Sequence, residues 1–508
     1  MTKRLQLVFI LLLALAGCTS VPFDYPKAES HSQPMDVDTF LGAAADRFSQ
    51  TYPGQTGVVR LPHGLDALGI RIRLTARAER TIDAQYFIVK NDRAGVLFAG
   101  KLLLAADRGV KVRLLIDDVF SYGIDRQLTL LSSHPNIEVR LFNPLSRQSF
   151  KYWSYLLDFS RANRRMHNKS FTVDNSISIV GGRNVGEEYF ELKQDVLFDD
   201  YEVMVTGPVV PDISASFDNY WNSDLSVPIE AFEVHVDADE LESWREQMVL
   251  QTTDSNSIYS QALHSRVLTR LNDGRLQPAI VHAEVVGDPA EKLEGELGDR
   301  ELAVLAMDFG HRFRDARKEV LIVTPYFIPT EGGAALIEEL EARGVRVVIV
   351  TNSLASTNHV PVHAHYAKYR KRLLRAGAEI WEIRAQNSGE VNQWGFRPEF
   401  VTLHSKATAI DRTTVFVGSL NFDPRSMRVN TEMGLFLESP GLGNAFTANL
   451  FMDLRRVAYR VELDDNDQLR WTYDHAGVQE VVSKEPQTSW GRRMSSRLYG
   501  VLPIEGQL

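Results

Sequence analysis

Two segments of this chain carry the same five residues at the same spacing, H-x-K-x4-D-x6-G-x2-N. The segments are HNKSFTVDNSISIVGGRN and HSKATAIDRTTVFVGSLN, and each residue of the second lies 237 positions after its counterpart. A single H-x-K-x4-D carries little information, but two copies that share the downstream Gly and Asn indicate a duplicated half-site. The repeated residues are His167, Lys169, Asp174, Gly181 and Asn184 in the first copy, and His404, Lys406, Asp411, Gly418 and Asn421 in the second.

The repeated residues suit chemistry on a phosphodiester. The His and Lys of each copy are two positions apart, so both project from one face of a strand. Two Lys and two Asn supply donors for the non-bridging oxygens of the transition state. One neutral imidazole can attack phosphorus while the other protonates the leaving oxygen and then deprotonates the incoming hydroxyl. The symmetry leaves open which histidine attacks. No carboxylate cluster or Cys/His spacing indicates a metal, so neither a metal nor another cofactor is expected.

Similar strands and helices surround the two copies. Each half has a buried strand with a Tyr-Phe pair, an amphipathic helix that ends in Arg-Gly-Val, and a second apolar strand. The pattern predicts strand–helix–strand units and hence two similar α/β/α sandwich domains, with mixed, largely parallel sheets related by a pseudo-twofold. The predicted strands are 81–89, 110–116, 320–328 and 345–351, and the predicted helices are 95–107 and 333–342.

The repeat also sets the domain boundaries. We expect an N-terminal domain over 41–228 and a C-terminal domain over 276–508, joined by an acidic, helix-leaning connector over 229–275. Within the second domain, Gly287–Arg300 has the composition of an exposed acidic loop.

The N-terminus is typical of a secreted lipoprotein. Lys3 and Arg4 precede an apolar run that ends in Leu-Ala-Gly before Cys18, the only cysteine. We expect a signal peptide over 1–17, acylation of Cys18 and a tether over 18–40; the alternative, a signal anchor, would need a longer apolar run. Thr19 favours sorting to the outer membrane of a periplasm-facing lipoprotein, with the inner membrane as the alternative. Removal of residues 1–17 lowers the formal net charge from −10 to −12, which argues against general nucleic-acid binding.

The duplicated motif resembles that of the phospholipase D superfamily, and the resemblance spans nearly all of the mature chain. The segments RRMHNKSFTVD, VGGRNVGEEYF, GSLNFDPRS and NTEMG are most similar to the C-type branch of the bacterial cardiolipin synthases. The resemblance implies the phospholipase D fold, a phosphohistidine on His167 and an acid/base role for His404.

By the same resemblance, a downstream acid orients each histidine. The matching residues are Asp200, with Asp199 as a near competitor, and Glu432. The resemblance also implies that Asp174 and Asp411 hold their turns rather than touch substrate. Gly182 stands where the second motif has Ser419, so a hydroxyl contact is expected on one side only.

Two kinds of segment favour lipid over nucleic acid as the substrate. Aromatic residues precede both motifs, in FKYWSYLLDF and in 386–400, which includes Trp394, Phe396 and Phe400. Basic residues line two predicted helices, at 368–375 and at Trp490–Tyr499. Ordinary core helices and solvated helix faces are the alternative interpretations.

The function implied is transfer of a phosphatidyl group from a donor phospholipid to phosphatidylglycerol at a membrane surface, with phosphatidylethanolamine as the donor suggested by the C-type branch. A phospholipase D that hydrolyses lipid to phosphatidic acid is the main alternative. A periplasmic nuclease and an inactive envelope lipoprotein are the remaining ones.

Overall fold

The computed structural model describes most of the chain. It covers residues 21–121, 123–147, 155, 158–193, 196–253, 257–295, 301–386, 400–475 and 477–508. The predicted signal peptide and Cys18, most of the aromatic segment 150–159, and Trp394 and Phe396 lie outside these residues.

The first half and the connector contain nine strands and nine helices among the described residues. In chain order they are α1 Phe40–Thr51, β1 Thr56–Arg60, α2 Gly64–Arg77, β2 Thr81–Tyr86, α3 Arg93–Ala106, β3 Lys111–Asp117, α4 Asp125–Ser132, β4 Ile137–Phe142, α5 Phe159–Ala162, β5 Ser170–Val173, β6 Ile177–Gly181, β7 Val196–Asp199, β8 Glu202–Thr206, α6 Val209–Asn222, β9 Ser226–Pro228, α7 Ala238–Thr253, α8 Ile258–Leu263 and α9 Arg266–Asn272.

The second half repeats this order and adds a C-terminal extension. Its described elements are β10 Ala279–Gly287, α10 Val304–Asp315, β11 Glu319–Val323, α11 Thr330–Ala342, β12 Arg346–Asn352, α12 Val360–Tyr366, α13 Arg370–Ala376, β13 Glu379–Ile383, β14 Phe400–Leu403, β15 Ala407–Ile410, β16 Thr414–Gly418, α14 Pro424–Arg428, β17 Met433–Glu438, α15 Pro440–Val457, β18 Ala458–Leu463, β19 Leu469–His475, β20 Val478–Val482 and α16 Trp490–Gly500.

The two halves share one continuous sheet. In the first half the strand order is β4-β3-β2-β5-β6-β8-β1, and in the second it is β13-β12-β11-β15-β16-β17-β10. The central strands β1 and β10 pair antiparallel, with Gly57 opposite Ile280. Equivalent strands therefore meet where the halves join, as the predicted pseudo-twofold requires.

The sheet is mixed, as predicted, but it is not largely parallel. Parallel pairing within it is confined, among the described strands, to β2-β3-β4 and β11-β12-β13. The reason lies in the motif: Asp174 and Asn175 both adopt positive φ, at 50° and 47°. Two adjacent residues of positive φ form a tight hairpin turn, which makes the motif strands antiparallel.

The helices end where the sequence predicts. Gly109 and Gly344 follow α3 and α11 with φ of 98° and 80°, the left-handed conformation that closes a helix. The predicted strands 81–89 and 320–328 end earlier, at Tyr86 and Val323. In both halves the Tyr-Phe pair thus lies at or beyond the carboxyl end of its strand, towards the motif.

Each half has its own core, and a third core joins them. Helices α2 and α3 cover one half with residues such as Leu68 and Leu102, and α10 contributes Phe309 and Phe313 in the other. The third cluster combines residues of both halves, including Val203 and Leu435. No helix among the described residues is long and apolar enough to span a bilayer.

One predicted loop is ordered instead. Gly287–Arg300 does not form an exposed acidic loop over its described part, because Ala290–Leu293 is a buried 3-10 turn. Asp288 is buried and accepts a 2.7 Å bond from Lys292. The neighbouring lysine neutralises the carboxylate, so Asp288 can enter the core, while Glu291 and Glu294 stay exposed.

The basic stretch 368–375 is not a free cationic face. It is interrupted before Arg370, which is buried between Glu382 and Glu485. The other cations also have acidic neighbours within the described residues: Arg372 pairs with Glu331 and Glu338, Lys371 and Arg375 with Asp467, and Lys368 with Glu505.

Candidate active site

The two motif histidines are each paired with an acid from the other half. His167 Nδ1 lies 2.8 Å from Glu432 Oε2 and 3.0 Å from Oε1. His404 Nδ1 lies 2.6 Å from Asp200 Oδ2. Both predicted acids therefore contact a histidine, but the pairs cross between the halves. Sequence order alone would have matched each histidine with the acid of its own half.

The backbone repeats the same exchange. The amide of His167 donates to the carbonyl of Thr431 at 3.0 Å, and that of His404 donates to the carbonyl of Asp199 at 2.7 Å. Strand β14, which leads to His404, pairs in parallel with β7 of the first half. Asp199 thus contributes its carbonyl, while the neighbouring Asp200 contributes the carboxylate.

The motif lysines are buried beside their histidines. Lys169 Nζ donates to the carbonyl of His167, and Lys406 Nζ lies 2.5 Å from the carbonyl of His404. Lys406 Nζ is also 3.2 Å from His404 Nε2. Burial lowers the pKa of Lys169 to about 7 and that of Lys406 to about 8. Two buried ammonium groups at one point would be stabilised by a bound anion.

Both imidazoles favour the neutral form in the protein alone. Burial, and then the charges of Lys169 and Lys406, lower the pKa of His167 well below its ordinary value. Burial and the charge of Lys406 lower the pKa of His404 to about 4. The neighbouring carboxylate of Asp200 offsets part of this lowering. With Nδ1–H directed at a carboxylate, each ring keeps its Nε2 lone pair for reaction.

The two acids differ in charge. Burial raises the pKa of Glu432 to about 7, although Lys169 opposes the shift. Burial also acts on Asp200, but the adjacent His404 and then Lys406 outweigh it, and the pKa of Asp200 falls below its ordinary value. His404 therefore lies beside the acid that is more fully ionised at neutral pH.

The motif glycines allow the acid-bearing strands to approach. A Cβ on Gly181 would lie 2.5 Å from the carbonyl oxygen of Tyr201, and one on Gly418 would lie 2.4 Å from that of Met433. These carbonyls follow Asp200 and Glu432 directly in the chain. Any side chain at either glycine would push the acid of that half out of position.

The Gly182–Ser419 difference follows from the two acids. A Cβ on Gly182 would lie 2.2 Å from Asp200 Oδ1, so no larger residue fits there. Ser419 instead donates its hydroxyl to Glu432 Oε2 and accepts a 3.1 Å bond from the Met433 amide. The hydroxyl contact that was expected on one side only is therefore the bond from Ser419 to the carboxylate of Glu432.

The motif asparagines are buried just beyond β6 and β16, at the ends of the sheet where β5 and β15 begin. Asn184 Oδ1 accepts a 3.1 Å bond from the Ile88 amide. Asn421 is 5% exposed, and its Oδ1 has no hydrogen-bond partner among the described residues. The structure thus brings both asparagines to the same ends of the sheet as the histidines.

The motif aspartates occupy the opposite ends of their strands. Asp174 accepts from the backbone amides of three consecutive residues, 79–81, and Asp411 accepts from those of 317–319. Each carboxylate ties its hairpin turn to the start of the neighbouring strand, β2 or β11. This placement is a structural one, as the resemblance implies.

Aromatic rings that the motif does not include enclose the histidines. Phe87 contacts His167 edge-on with ring centroids 4.9 Å apart. Phe198 stacks on His404 at 5.2 Å, and Tyr189 meets the same ring edge-on at 5.3 Å. The Tyr86-Phe87 pair after β2 was the available sequence signal for the first of these.

Two charged residues outside the motifs also support the site. Asp288 Oδ2 accepts from the Glu432 amide at 3.1 Å, and the Asp288 amide donates to the Glu432 carbonyl at 2.9 Å. The charge of Arg425 reaches His167 and lowers its pKa further. Arg425 lies in GSLNFDPRS, but nothing in its spacing distinguishes it there.

A group of potential metal ligands lies elsewhere. Among the described residues, one atom each of His363, Glu382 and Glu485 lie within 4.8 Å of one another. Arg370 already forms ion pairs with both carboxylates. These residues belong to the second core and contain none of the motif residues.

Similarity to known proteins agrees with this geometry. A family profile described as "Cardiolipin synthase, PLD-like domain" matches residues 72–221 and 310–453. Cardiolipin synthase C of Escherichia coli (strain K12) is 38% identical over 475 residues, covering 92% of this chain and 99% of the relative. Cardiolipin synthase A of Pseudomonas aeruginosa (strain UCBPP-PA14) is 25% identical, over 81% and 72% of the two chains.

The fold has a solved counterpart. The crystal structure of phosphatidylserine synthase from Haemophilus influenzae Rd KW20 superposes with a TM-score of 0.53 at 13% sequence identity, over 82% of this chain and 91% of that one. Two predictions are therefore confirmed: the chain has the phospholipase D fold, and it is an enzyme of the phosphatidyltransferase type. The chain belongs to the cardiolipin synthase family with phospholipase D-like domains.

Proposed function

We propose that this chain transfers a phosphatidyl group from a donor phospholipid to phosphatidylglycerol, through a phosphohistidine on His167, and so forms cardiolipin. The observation that carries the proposal is the crossed pair of histidine–carboxylate contacts around two buried lysines. Each half supplies one imidazole, one ammonium group and the acid for the other half's imidazole.

In the first step, His167 Nε2 attacks the phosphorus of the donor lipid. His404 takes up a proton at Nε2 when the anionic phosphodiester binds beside it. The bond from phosphorus to the headgroup oxygen then breaks, and His404 gives this proton to that oxygen, so the headgroup leaves as an alcohol. In the second step, His404 removes a proton from a hydroxyl of phosphatidylglycerol. The resulting oxygen attacks phosphorus, and the bond to His167 breaks.

The charges around the histidines support this assignment. The acid must be the imidazole that is more easily protonated, and His404 lies beside the carboxylate whose pKa is lowered, whereas the pKa of Glu432 beside His167 is raised to about 7. The ionised Asp200 beside His404 stabilises the imidazolium that forms during turnover. The nucleophile must stay neutral, which suits His167 between Lys169 and Lys406.

The lysines and asparagines provide the remaining chemistry. Lys169 and Lys406 are 1% exposed, so their charges act in a medium of low dielectric constant. As negative charge grows on the non-bridging oxygens, such fixed donors stabilise the transition state more than the ground state. Asn184 and Asn421 extend this set of donors at the same ends of the sheet.

The test is product analysis with the full-length chain in mixed micelles. We expect cardiolipin by mass spectrometry from phosphatidylglycerol, and more of it when phosphatidylethanolamine is added as a donor. His167→Ala should abolish the product, whereas the matched change at an exposed histidine, His264→Ala, should leave it unchanged. Phosphatidic acid as the only product would establish the hydrolase and exclude the synthase.

We also propose that Cys18 is acylated and that the enzyme faces the periplasm from the outer membrane. The run of residues before Cys18, and Thr19 after it, support this location. Metabolic labelling with a fatty acid should mark the native chain and not a Cys18→Ser variant. Gradient fractionation should recover the labelled chain with the outer membrane; recovery with the inner membrane would contradict the sorting proposal.

A further inference from the structure

The C-terminal helix α16 and the two residues after it expose several large apolar side chains. Trp490 is 71% exposed, Leu498 is 63% exposed and Val501, directly after the helix, is 79% exposed. Leu502 adds a further 43% exposed side chain. Large apolar groups clustered on a surface, rather than scattered singly, mark a contact site.

These side chains share one face of the helix. At 3.6 residues per turn, Trp490, Met494, Arg497, Leu498 and Val501 follow one another at i, i+4, i+7, i+8 and i+11. The helix contains three arginines and no acidic residue, in a chain of formal net charge −10. Such a face, with Trp, aliphatic residues and Arg together, has the composition of an interfacial helix.

The opposite side of the helix is hydrogen-bonded to a loop that leads towards the active site. Arg492 donates to the carbonyls of Leu354 and Thr357 at 2.6 and 2.5 Å. These residues follow Asn352, whose side chain exchanges two 2.9 Å bonds with the backbone of Leu403. Leu403 directly precedes His404, so few contacts separate the helix from a motif histidine.

The end of the chain makes a second connection. The Arg425 amide donates to the carbonyl of Leu508 at 2.7 Å, and the Arg425 side chain donates to the carbonyl of Gln507 at 3.3 Å. Arg425 is the residue whose charge reaches His167. The C-terminal segment therefore contacts residues that lie near each of the two motif histidines.

The charges of α16 differ from those of the basic stretch 368–375. There, each cation has an acidic neighbour within the protein. Arg497 is exposed and has no acidic partner among the described residues. It is thus available to an external anion, beside the apolar residues that would enter an acyl layer.

We infer that the exposed face of α16 docks on an anionic phospholipid surface, and that the contacts through Arg492 thereby keep the segment that leads to His404 near this surface. Trp490, Leu498 and Val501 enter the interface, and Arg497 meets lipid phosphates. The inference rests on the proposed function in so far as the substrates are lipids of that surface.

Docking can be measured by fluorescence at single positions of the full-length chain. Cys18→Ser removes the one native cysteine and the acyl anchor proposed on it, and Val501→Cys then carries an environment-sensitive dye. The matched control is Met452→Cys on α15, where the native side chain is 65% exposed. Vesicles of phosphatidylglycerol and phosphatidylcholine, or of phosphatidylcholine alone, carry a nitroxide quencher in their acyl chains.

We expect at least twofold stronger quenching at position 501 than at 452 on the anionic vesicles, and weaker quenching at 501 on pure phosphatidylcholine. Equal quenching at the two positions would overturn the inference. Equal quenching at 501 on the two vesicle types would overturn the role of the anionic headgroup.

A second measurement separates docking from catalysis. The triple variant Trp490→Ser, Leu498→Ser and Val501→Ser should lose about tenfold in turnover of vesicle lipid and keep its rate on a water-soluble phosphodiester. Its melting temperature provides the check on folding. A loss on both substrates at an unchanged melting temperature would assign the helix to the site itself and overturn docking. In His167→Ala, position 501 should still be quenched, so failure of the proposed chemistry would leave this result intact.

Discussion

The two histidine–carboxylate pairs share their topology and differ in the acid. Asp200 is short, sits against Gly182 and keeps a low pKa beside His404. Glu432 is longer by one methylene, receives the Ser419 hydroxyl, and has a pKa raised to about 7 by burial. Two nearly symmetrical half-sites thus give their imidazoles unequal electrostatic surroundings, which is what a nucleophile and an acid/base require.

The largest test of this difference compares the two histidines. His167→Ala and His404→Ala should each lower lipid turnover by about 10⁴-fold or more. A p-nitrophenyl phosphodiester has a leaving group that needs no proton, so His404→Ala should still form the phosphoenzyme from it. The phosphoenzyme should then accumulate, because the second step lacks its base. A phosphorus–nitrogen bond to histidine hydrolyses in acid, so an alkaline denaturing quench followed by mass spectrometry can locate that adduct. An adduct on His404 in His167→Ala would reverse the roles.

A second test exchanges the small residues next to the acids. Gly182→Ser should lower kcat by about 10²-fold, because the new Cβ would displace Asp200 and misplace His404. Ser419→Gly removes one hydroxyl from Glu432 and should cost about tenfold. Both effects should appear in kcat rather than KM. A larger loss at Ser419 than at Gly182 would contradict the steric argument.

A third test follows stability with pH. The folded-state pKa of Glu432 is raised to about 7, so between about pH 4.5 and 7 the native state binds the proton more tightly than the unfolded state. This group's contribution to the free energy of unfolding therefore falls as pH rises through that window, by at most about 1.4 kcal/mol per pH unit. Glu432→Gln should remove that slope in chemical denaturation.

Asp200→Asn tests an acid whose pKa is shifted in the opposite direction. The folded-state pKa of Asp200 lies below its ordinary value of 3.8, so its stabilising contribution is present above that pH and is lost only as pH falls further. The difference between Asp200→Asn and the native chain should therefore be flat between pH 4.5 and 7. A slope there like that of Glu432→Gln would show that the two acids are equivalent.

Much of this site could be predicted from the sequence because the motif is local. Spacing alone predicted that His167 and Lys169 lie together and that a turn follows at Asp174. The strand predicted to carry them begins only at Ser170, so both residues precede it. The acids Asp200 and Glu432 came from the family resemblance, and both contact a histidine. Their exchange between halves could not be predicted, since it depends on how β7 and β14 meet across the join.

The errors have a common cause in long-range pairing. Apolar strands look alike whether their neighbours run parallel or antiparallel, so the sheet was expected to be largely parallel. Charged residues look exposed until a partner is known: Lys292 allows Asp288 into the core, and Glu382 and Glu485 do the same for Arg370. In each case the deciding contact joins residues from different elements.

The exchange of acids between the halves also bears on biogenesis. An intermediate with only the first half folded has His167 without Glu432, and a folded second half alone has His404 without Asp200. Neither half contains a complete imidazole–carboxylate pair, so neither half can assemble the site by itself. The site is complete only when both halves have been made and have folded against each other.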